Sequence, residues 1–226
     1  LLSAATANWI LVVALSVMTA MGLHYRATSI LGFSVLATSV SALSIGFPHL
    51  SFPHAAAVIL AGNIVAYLSL RIDRIEWLSW TTWALALCLW LIWGFQANAF
   101  LRSPEEAVPG LLVDWYLPFV VAFTLFYAGL ATWRALAAPH AAGAFHLVIP
   151  TASALWAYLA ALAVVAPQAG GEAALAWVAV AAAFVHFAIA AWIRRCSPAC
   201  TPSTTSFALA GTVLFALGTP EVLGSF

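Results

Sequence analysis

Lysine is absent from this 226-residue chain and charge of either sign is scarce: seven basic residues, all arginine, face seven acidic ones, and charged residues make up 6% of the total. Soluble domains carry roughly 25% charged residues to cover their surface, so a water-soluble globule is excluded. The missing lysine removes any chemistry built on a Schiff base, including a retinal-linked rhodopsin. A formal net charge of zero leaves no basic stripe for electrostatic capture of nucleic acid.

Signatures of familiar enzymes are missing as well. No Gly-rich phosphate cradle, Gly-x-Ser-x-Gly elbow, His-Glu-x-x-His or Asp-x-Asp pair occurs. Carboxylates inside apolar stretches reduce to Asp114 and Glu221, both shallow enough to reach a headgroup region. An ion-coupled carrier needs a carboxylate or charged pair near the midplane, and the pattern argues against one. Only three cysteines are present. Cys88 lies in an apolar stretch, and Cys196 with Cys200 forms a Cys-x-x-x-Cys pair with no second pair to complete a tetrahedral zinc site, so free thiols are expected.

Hydrophobic residues make up 65% of the sequence, and mean hydropathy is +1.06. The apolar residues group into eight stretches, about 8–24, 29–46, 54–71, 76–97, 110–134, 143–166, 172–193 and 204–222. About 20 residues of helix cross a hydrocarbon core of roughly 30 Å, and helix is the form in which an open segment satisfies its own backbone in lipid. The expected fold is therefore all-α: a polytopic bundle of about eight transmembrane helices forming one domain over 1–226, with short loops. The opening Leu1-Leu2-Ser3 suggests a processed chain or a piece of a longer one. The first stretch is too long for a signal peptide and reads as a crossing.

Prolines and glycines punctuate the gaps at Pro48, Pro53, Pro104, Pro109, Pro139, Pro167, Gly170, Gly171, Pro198 and Pro202. Pro118, Pro150 and Pro220 fall inside stretches and are expected to bend their helices. Six arginines, Arg26, Arg71, Arg74, Arg134, Arg194 and Arg195, fall in odd-numbered gaps; the even gaps or their flanks hold Arg102, Glu105, Glu106, Asp114 and Glu172, with Glu221 on the same side. The arginine excess marks cytoplasmic loops. It places odd gaps in the cytoplasm and both ends of the segment outward, in a bacterial inner membrane.

Trp9, Trp77, Trp115, Trp133, Trp177 and Trp192 lie near stretch ends, where an aromatic belt belongs. The fourth stretch adds Trp80, Trp83, Trp90 and Trp93 on one face. That face reads either as packing or as a platform for a flat cofactor or quinone, with Trp83 and Trp90 its candidates. Small residues in the second, sixth and seventh stretches suit the interior of a bundle, and the bulky fourth is expected to face lipid or another subunit.

Histidine ligates haem iron, chlorophyll magnesium and transition metals. His186 lies well inside a stretch and His146 near the start of another, at depths that suit a bis-histidine ligand pair or, more plainly, one buried and one interfacial side chain. The repeat Phe47-Pro48-His49 and Phe52-Pro53-His54 offers two imidazoles for a metal, or simply a turn rich in helix-stopping residues. Asn63 reads as helix glue, and Thr151 and Tyr158 are further polar residues at depth. No cofactor is required by any of these.

Leu60-Ala61-Gly62-Asn63-Ile64, then Leu70-Arg71-Ile72-Asp73-Arg74-Ile75-Glu76-Trp77-Leu78 and Trp90-Leu91-Ile92-Trp93-Gly94, resemble the bacterial polytopic family DUF2339. Ala190-Ala191-Trp192-Ile193-Arg194-Arg195 and Phe207 to Pro220 are similar to its recurring helix that closes on a proline. About a third of the chain is covered, and Phe47 to Pro53 stands where the family carries a Gly-Gly-Phe-x-Thr-Pro-type segment. The resemblance implies a fragment or short relative and carries over no catalytic residue. The expected role is a structural or accessory subunit among membrane lipids and other membrane subunits. Alternatives are a carrier or channel for a lipid or small apolar solute, and a haem-, pigment- or quinone-binding subunit.

Overall fold

A computed structural model describes residues 3–45, 51–69, 76–102, 111–137 and 143–224. Among these, the chain is all-α. Eight helices run in order: α1 (Ala4–His24), α2 (Thr28–Ser44), α3 (Phe52–Ser69), α4 (Glu76–Arg102), α5 (Tyr116–Ala137), α6 (Ala144–Val165), α7 (Gly171–Cys196) and α8 (Thr201–Gly224). Five segments, α4, α5 with the turn before it, α6, α7 and α8, are long and apolar enough to cross a membrane. His49, Arg71, Arg74, Glu105, Glu106 and His140 lie outside the described residues.

Helix ends follow from local chemistry. Ser3 accepts from the Thr6 amide at 3.2 Å to cap α1. At the other end of α1, Arg26 adopts φ 52°; the Ala27 amide donates to the Gly22 carbonyl at 2.9 Å and the Arg26 amide to that of Leu23 at 3.4 Å. This is the six-to-one and five-to-two pairing that reverses a chain after a helix, with arginine where glycine is usual. Leu112, at φ 41°, opens a single 3-10 turn over Val113–Trp115. That turn delays α5 to Tyr116, so Pro118 falls in the first turn of α5, where a missing amide hydrogen removes no interior bond. The bend expected at Pro118 thus has no cause. Pro150 and Pro220 do lie inside α6 and α8.

The chain divides into two compact units, Leu1–Phe119 and Val120–Phe226. In the first, α3 packs against α1, α2 and α4 and is the most enclosed helix. Phe52, Ala55, Ala56, Val58, Ile59, Val65 and Ala66 are all buried. Its core joins Leu15, Leu31, Val35 and Leu78 from the other three helices. The fourth helix does not simply face lipid, because its C-terminal half supplies Trp90 and Trp93, 1% and 0% exposed, to the interior of this unit.

In the second unit α8 packs extensively on α7 and also on α6. Ala154, Ala183, Ala210 and Leu214 make the core of that contact. Its closeness is set by Gly211 and Gly218, two turns apart on α8. A methyl group at Gly218 would stand 2.6 Å from the Ala176 carbonyl oxygen, and one at Gly211 would stand 3.0 Å from that of Ala183. Helices in lipid gain nothing from the hydrophobic effect by touching, so such backbone approach is what holds them.

Candidate functional site

Two buried histidines in the Val120–Phe226 unit are the strongest chemical candidates among the described residues. His186, on α7, is 7% exposed and His146, on α6, is 4% exposed. The His186 Nδ1 lies 2.8 Å from the Ala182 carbonyl oxygen. A carbonyl only accepts, so Nδ1 carries a hydrogen. The His186 ring lies 6.0 Å from that of Phe207 on α8.

His146 is the third residue of α6, and the charge of Arg134, in the last turn of α5, acts on it. Its ring meets that of Phe145 edge-on at 5.6 Å. The helices that carry the two histidines both meet one short stretch of α8. Ser206 Oγ donates to the carbonyl of Leu147, next to His146, while Phe207 carries the contact to His186. Thr151 Oγ1 returns a hydrogen bond to the Ser206 carbonyl at 3.1 Å. This reciprocal clamp joins α6 to α8 at the level of Pro150, which cannot donate a backbone hydrogen bond. Ser153 Oγ adds a bond to the Ile149 carbonyl at 2.6 Å. Ser206 carries no distinguishing signal in the sequence, being one hydroxyl in a run of five at positions 201–206.

The aromatic face of α4 belongs to the Leu1–Phe119 unit. Trp90 stacks on Trp93 at 5.2 Å, and Trp93 stacks on Phe52 at 5.5 Å, each pair 15° from parallel. Tyr116 closes the group edge-on, 5.4 Å from Trp90 and 5.3 Å from Trp93. Its hydroxyl sits against Gly94, where a methyl group would come within 2.5 Å. The Trp93-Gly94 pair is thus part of a ring cluster. Trp93 Nε1 donates to the Leu111 carbonyl at 2.6 Å. Trp83 is half-buried and meets Trp80 edge-on at 6.0 Å.

Asn63, 3% exposed on α3, donates from Nδ2 to Ile59 of its own helix at 2.9 Å and to the Thr82 carbonyl of α4 at 3.4 Å. His54 lies in the first turn of α3, its Nδ1 2.6 Å from Ser51 Oγ. The Ser51 carbonyl accepts the first helical bond, from Ala55, at 3.1 Å. Ser51 thus stands at the cap position and His54 is the third residue, their side chains bonded to each other rather than reciprocally to backbone amides. The Ser-Phe-Pro-His order, with proline in the first turn, was a legible helix start. Cys200 stands in the matching place before α8, its Sγ 3.1 Å from Ser203 Oγ, and all three cysteines are free thiols. No group of three or more metal-ligating side chains occurs among the described residues.

No family model, curated protein or solved structure matches the chain.

Proposed function

We propose that this chain is an eight-crossing integral protein of a bacterial inner membrane with a structural or accessory role, packing within a larger assembly of membrane subunits. The observation that carries the reading is the filling of both units. Their interiors are mainly apolar and aromatic, and although His146 and His186 are buried and Arg134 is partly so, no arginine, aspartate or glutamate among the described residues is fully buried. A carrier or catalyst that handles charge keeps ionisable groups inside.

Eight crossings are supported by three shorter apolar helices, Trp9–His24, Thr28–Ser44 and Phe52–Leu68, beside the five long ones. Seventeen residues of helix span about 25 Å, the lower end of what a bilayer core accepts. The interfacial tryptophans add support: Trp9, Trp77, Trp115, Trp133, Trp177 and Trp192 are 41% to 60% exposed, as residues meeting headgroups should be. The arginine bias sets odd gaps in the cytoplasm. The resemblance to DUF2339 fits this reading and assigns no reaction.

Purified and reconstituted into liposomes, the chain is expected to move no ion and no polar solute above empty vesicles. Solute flux that scales with protein would overturn the accessory reading. A second reading, a haem- or pigment-binding subunit, is favoured by His186 alone, because an Nδ1–H held by a backbone carbonyl is how a metal-ligating imidazole is oriented. An absorption spectrum of protein from native membranes tests it. A Soret or chlorophyll-type band lost in His186→Leu supports the cofactor, and a spectrum of tryptophan and tyrosine alone removes it.

A further inference from the structure

The turn between α1 and α2 is held in a backbone conformation that its sequence does not favour. Arg26 adopts φ 52°, in the left-handed region where a Cβ crowds the following carbonyl oxygen. The two hydrogen bonds that close the turn, from the Ala27 amide to Gly22 and from the Arg26 amide to Leu23, are backbone to backbone. Glycine would make both without strain. The arginine side chain offers no polar contact in return: it is exposed, and its guanidinium has no hydrogen bond or ion pair among the described residues.

Charge is what glycine could not supply. Arg26 is the one charged residue among positions 1–70, and the next is Arg71. The helices of this stretch are also the short ones, with apolar spans of Trp9–His24, Thr28–Ser44 and Phe52–Leu68 beside five longer segments. A short apolar hairpin with an uncharged turn has little to keep that turn at one leaflet. A guanidinium there is drawn to the anionic headgroups of the cytoplasmic leaflet and resists being carried back through hydrocarbon.

We propose that Arg26 anchors the α1–α2 turn at the cytoplasmic leaflet through the phosphates of anionic lipids, and that this role accounts for arginine at a position whose backbone favours glycine. The anchor rests on the membrane-spanning reading above. Without it the α1–α2 hairpin withdraws to the outer side in a fraction of molecules, while the later crossings keep their places.

The test places one reporter, Ala27→Cys, in the otherwise cysteine-free full chain and treats intact cells with a membrane-impermeant maleimide. Gln168→Cys in a sister chain marks the outer side, and the native Cys196 kept alone marks the inner. Three substitutions then separate charge from strain. Arg26→Gln removes the charge and keeps the strain; it should raise the outward-labelled fraction at position 27 about fivefold, the effect of one arginine at an anionic surface. Arg26→Lys keeps the charge and should label as the native chain does. Arg26→Gly removes both, so labelling should rise as with glutamine, while the purified chain in mild detergent melts about 2–4 °C higher than the native one.

Labelling at position 27 that is the same in Arg26→Gln as in the native chain overturns the anchor. So does labelling that rises equally in Arg26→Lys, or an Arg26→Gly chain that melts no higher than the native one. Should Arg26→Gly fail to fold, the contrast of glutamine with lysine decides alone. A native chain whose position 27 reacts from outside as readily as position 168 would instead overturn the membrane-spanning reading, and the anchor with it.

Discussion

Gly218→Leu should dismantle the α7–α8 pair and with it the Val120–Phe226 unit. A methyl group at that position would already stand 2.6 Å from the Ala176 carbonyl, 2.9 Å from Val180 Cγ2 and 3.2 Å from Ala179 Cβ. The first of these atoms is backbone and cannot rotate away. A methyl group at Gly211 would meet the same helix 2.8 Å from the Phe187 ring and 3.0 Å from the Ala183 carbonyl, so the two glycines fix one seam over two turns. Overpacking a rigid core costs about 1–3 kcal/mol and sometimes more, and in lipid no compensating hydrophobic gain exists. Thermal unfolding in mild detergent should show Gly218→Leu destabilised by about 3 kcal/mol or failing to form a monodisperse particle. Gly129 is the internal control: a methyl group there meets no atom within 4 Å, so Gly129→Ala should be neutral, or stabilising by up to about 1 kcal/mol through helix propensity.

Trp93→Ala should be the most damaging single truncation in the Leu1–Phe119 unit. The indole is 0% exposed, lies between Phe52 and Trp90 in one stack, and holds the Leu111 carbonyl through Nε1 at 2.6 Å. Removing a buried aromatic side chain costs about 3–5 kcal/mol. Trp93→Phe separates the two contributions, since it keeps a stacked ring and deletes the donor. It should cost about 1 kcal/mol for the lost hydrogen bond, with some further loss of packed volume. Leu91, two residues away and 67% exposed, should tolerate alanine within about 0.5 kcal/mol. The contrast is readable as the difference in denaturant midpoint among the three variants.

The segments of the sequence that become helices were legible because hydropathy and helix punctuation act locally. Proline and glycine marked the ends of α2, α3 and α7, and the predicted stretch 143–166 differs from α6, Ala144–Val165, by one residue at each end. Interior and exterior were less legible. Uniformly apolar helices carry no polar face to orient them, so nothing in Ala55, Ala56, Ile59 and Ala66 announced that α3 would be the enclosed helix of its unit. For the same reason the tryptophan pattern on α4 was ambiguous. Trp77 and Trp93 are the same residue type on one helix, yet one is 54% exposed and the other 0%, and only tertiary partners distinguish them.

The candidate site divides along similar lines. His146 and His186 were identifiable as rare polar residues in apolar stretches. The Ser206 clamp was not, since it depends on which helix lies alongside. His54 shows the opposite case. Read as half of a repeated Phe-Pro-His unit it left a metal or a turn of helix-stopping residues open, whereas Ser51, three residues earlier, stands at the start of α3.

Side-of-membrane labelling tests the central claim most directly. In an otherwise cysteine-free chain, single cysteines are placed by Ala27→Cys, Val113→Cys and Gln168→Cys, and the native Cys196 is kept alone in a fourth version. Intact cells are then treated with a membrane-impermeant maleimide. An eight-crossing bundle with its arginine-rich gaps in the cytoplasm predicts labelling of positions 113 and 168 from outside, and of 27 and 196 only after the membrane is permeabilised. Labelling of 27 and 196 from opposite sides would contradict the account, as would all four reacting alike in intact cells.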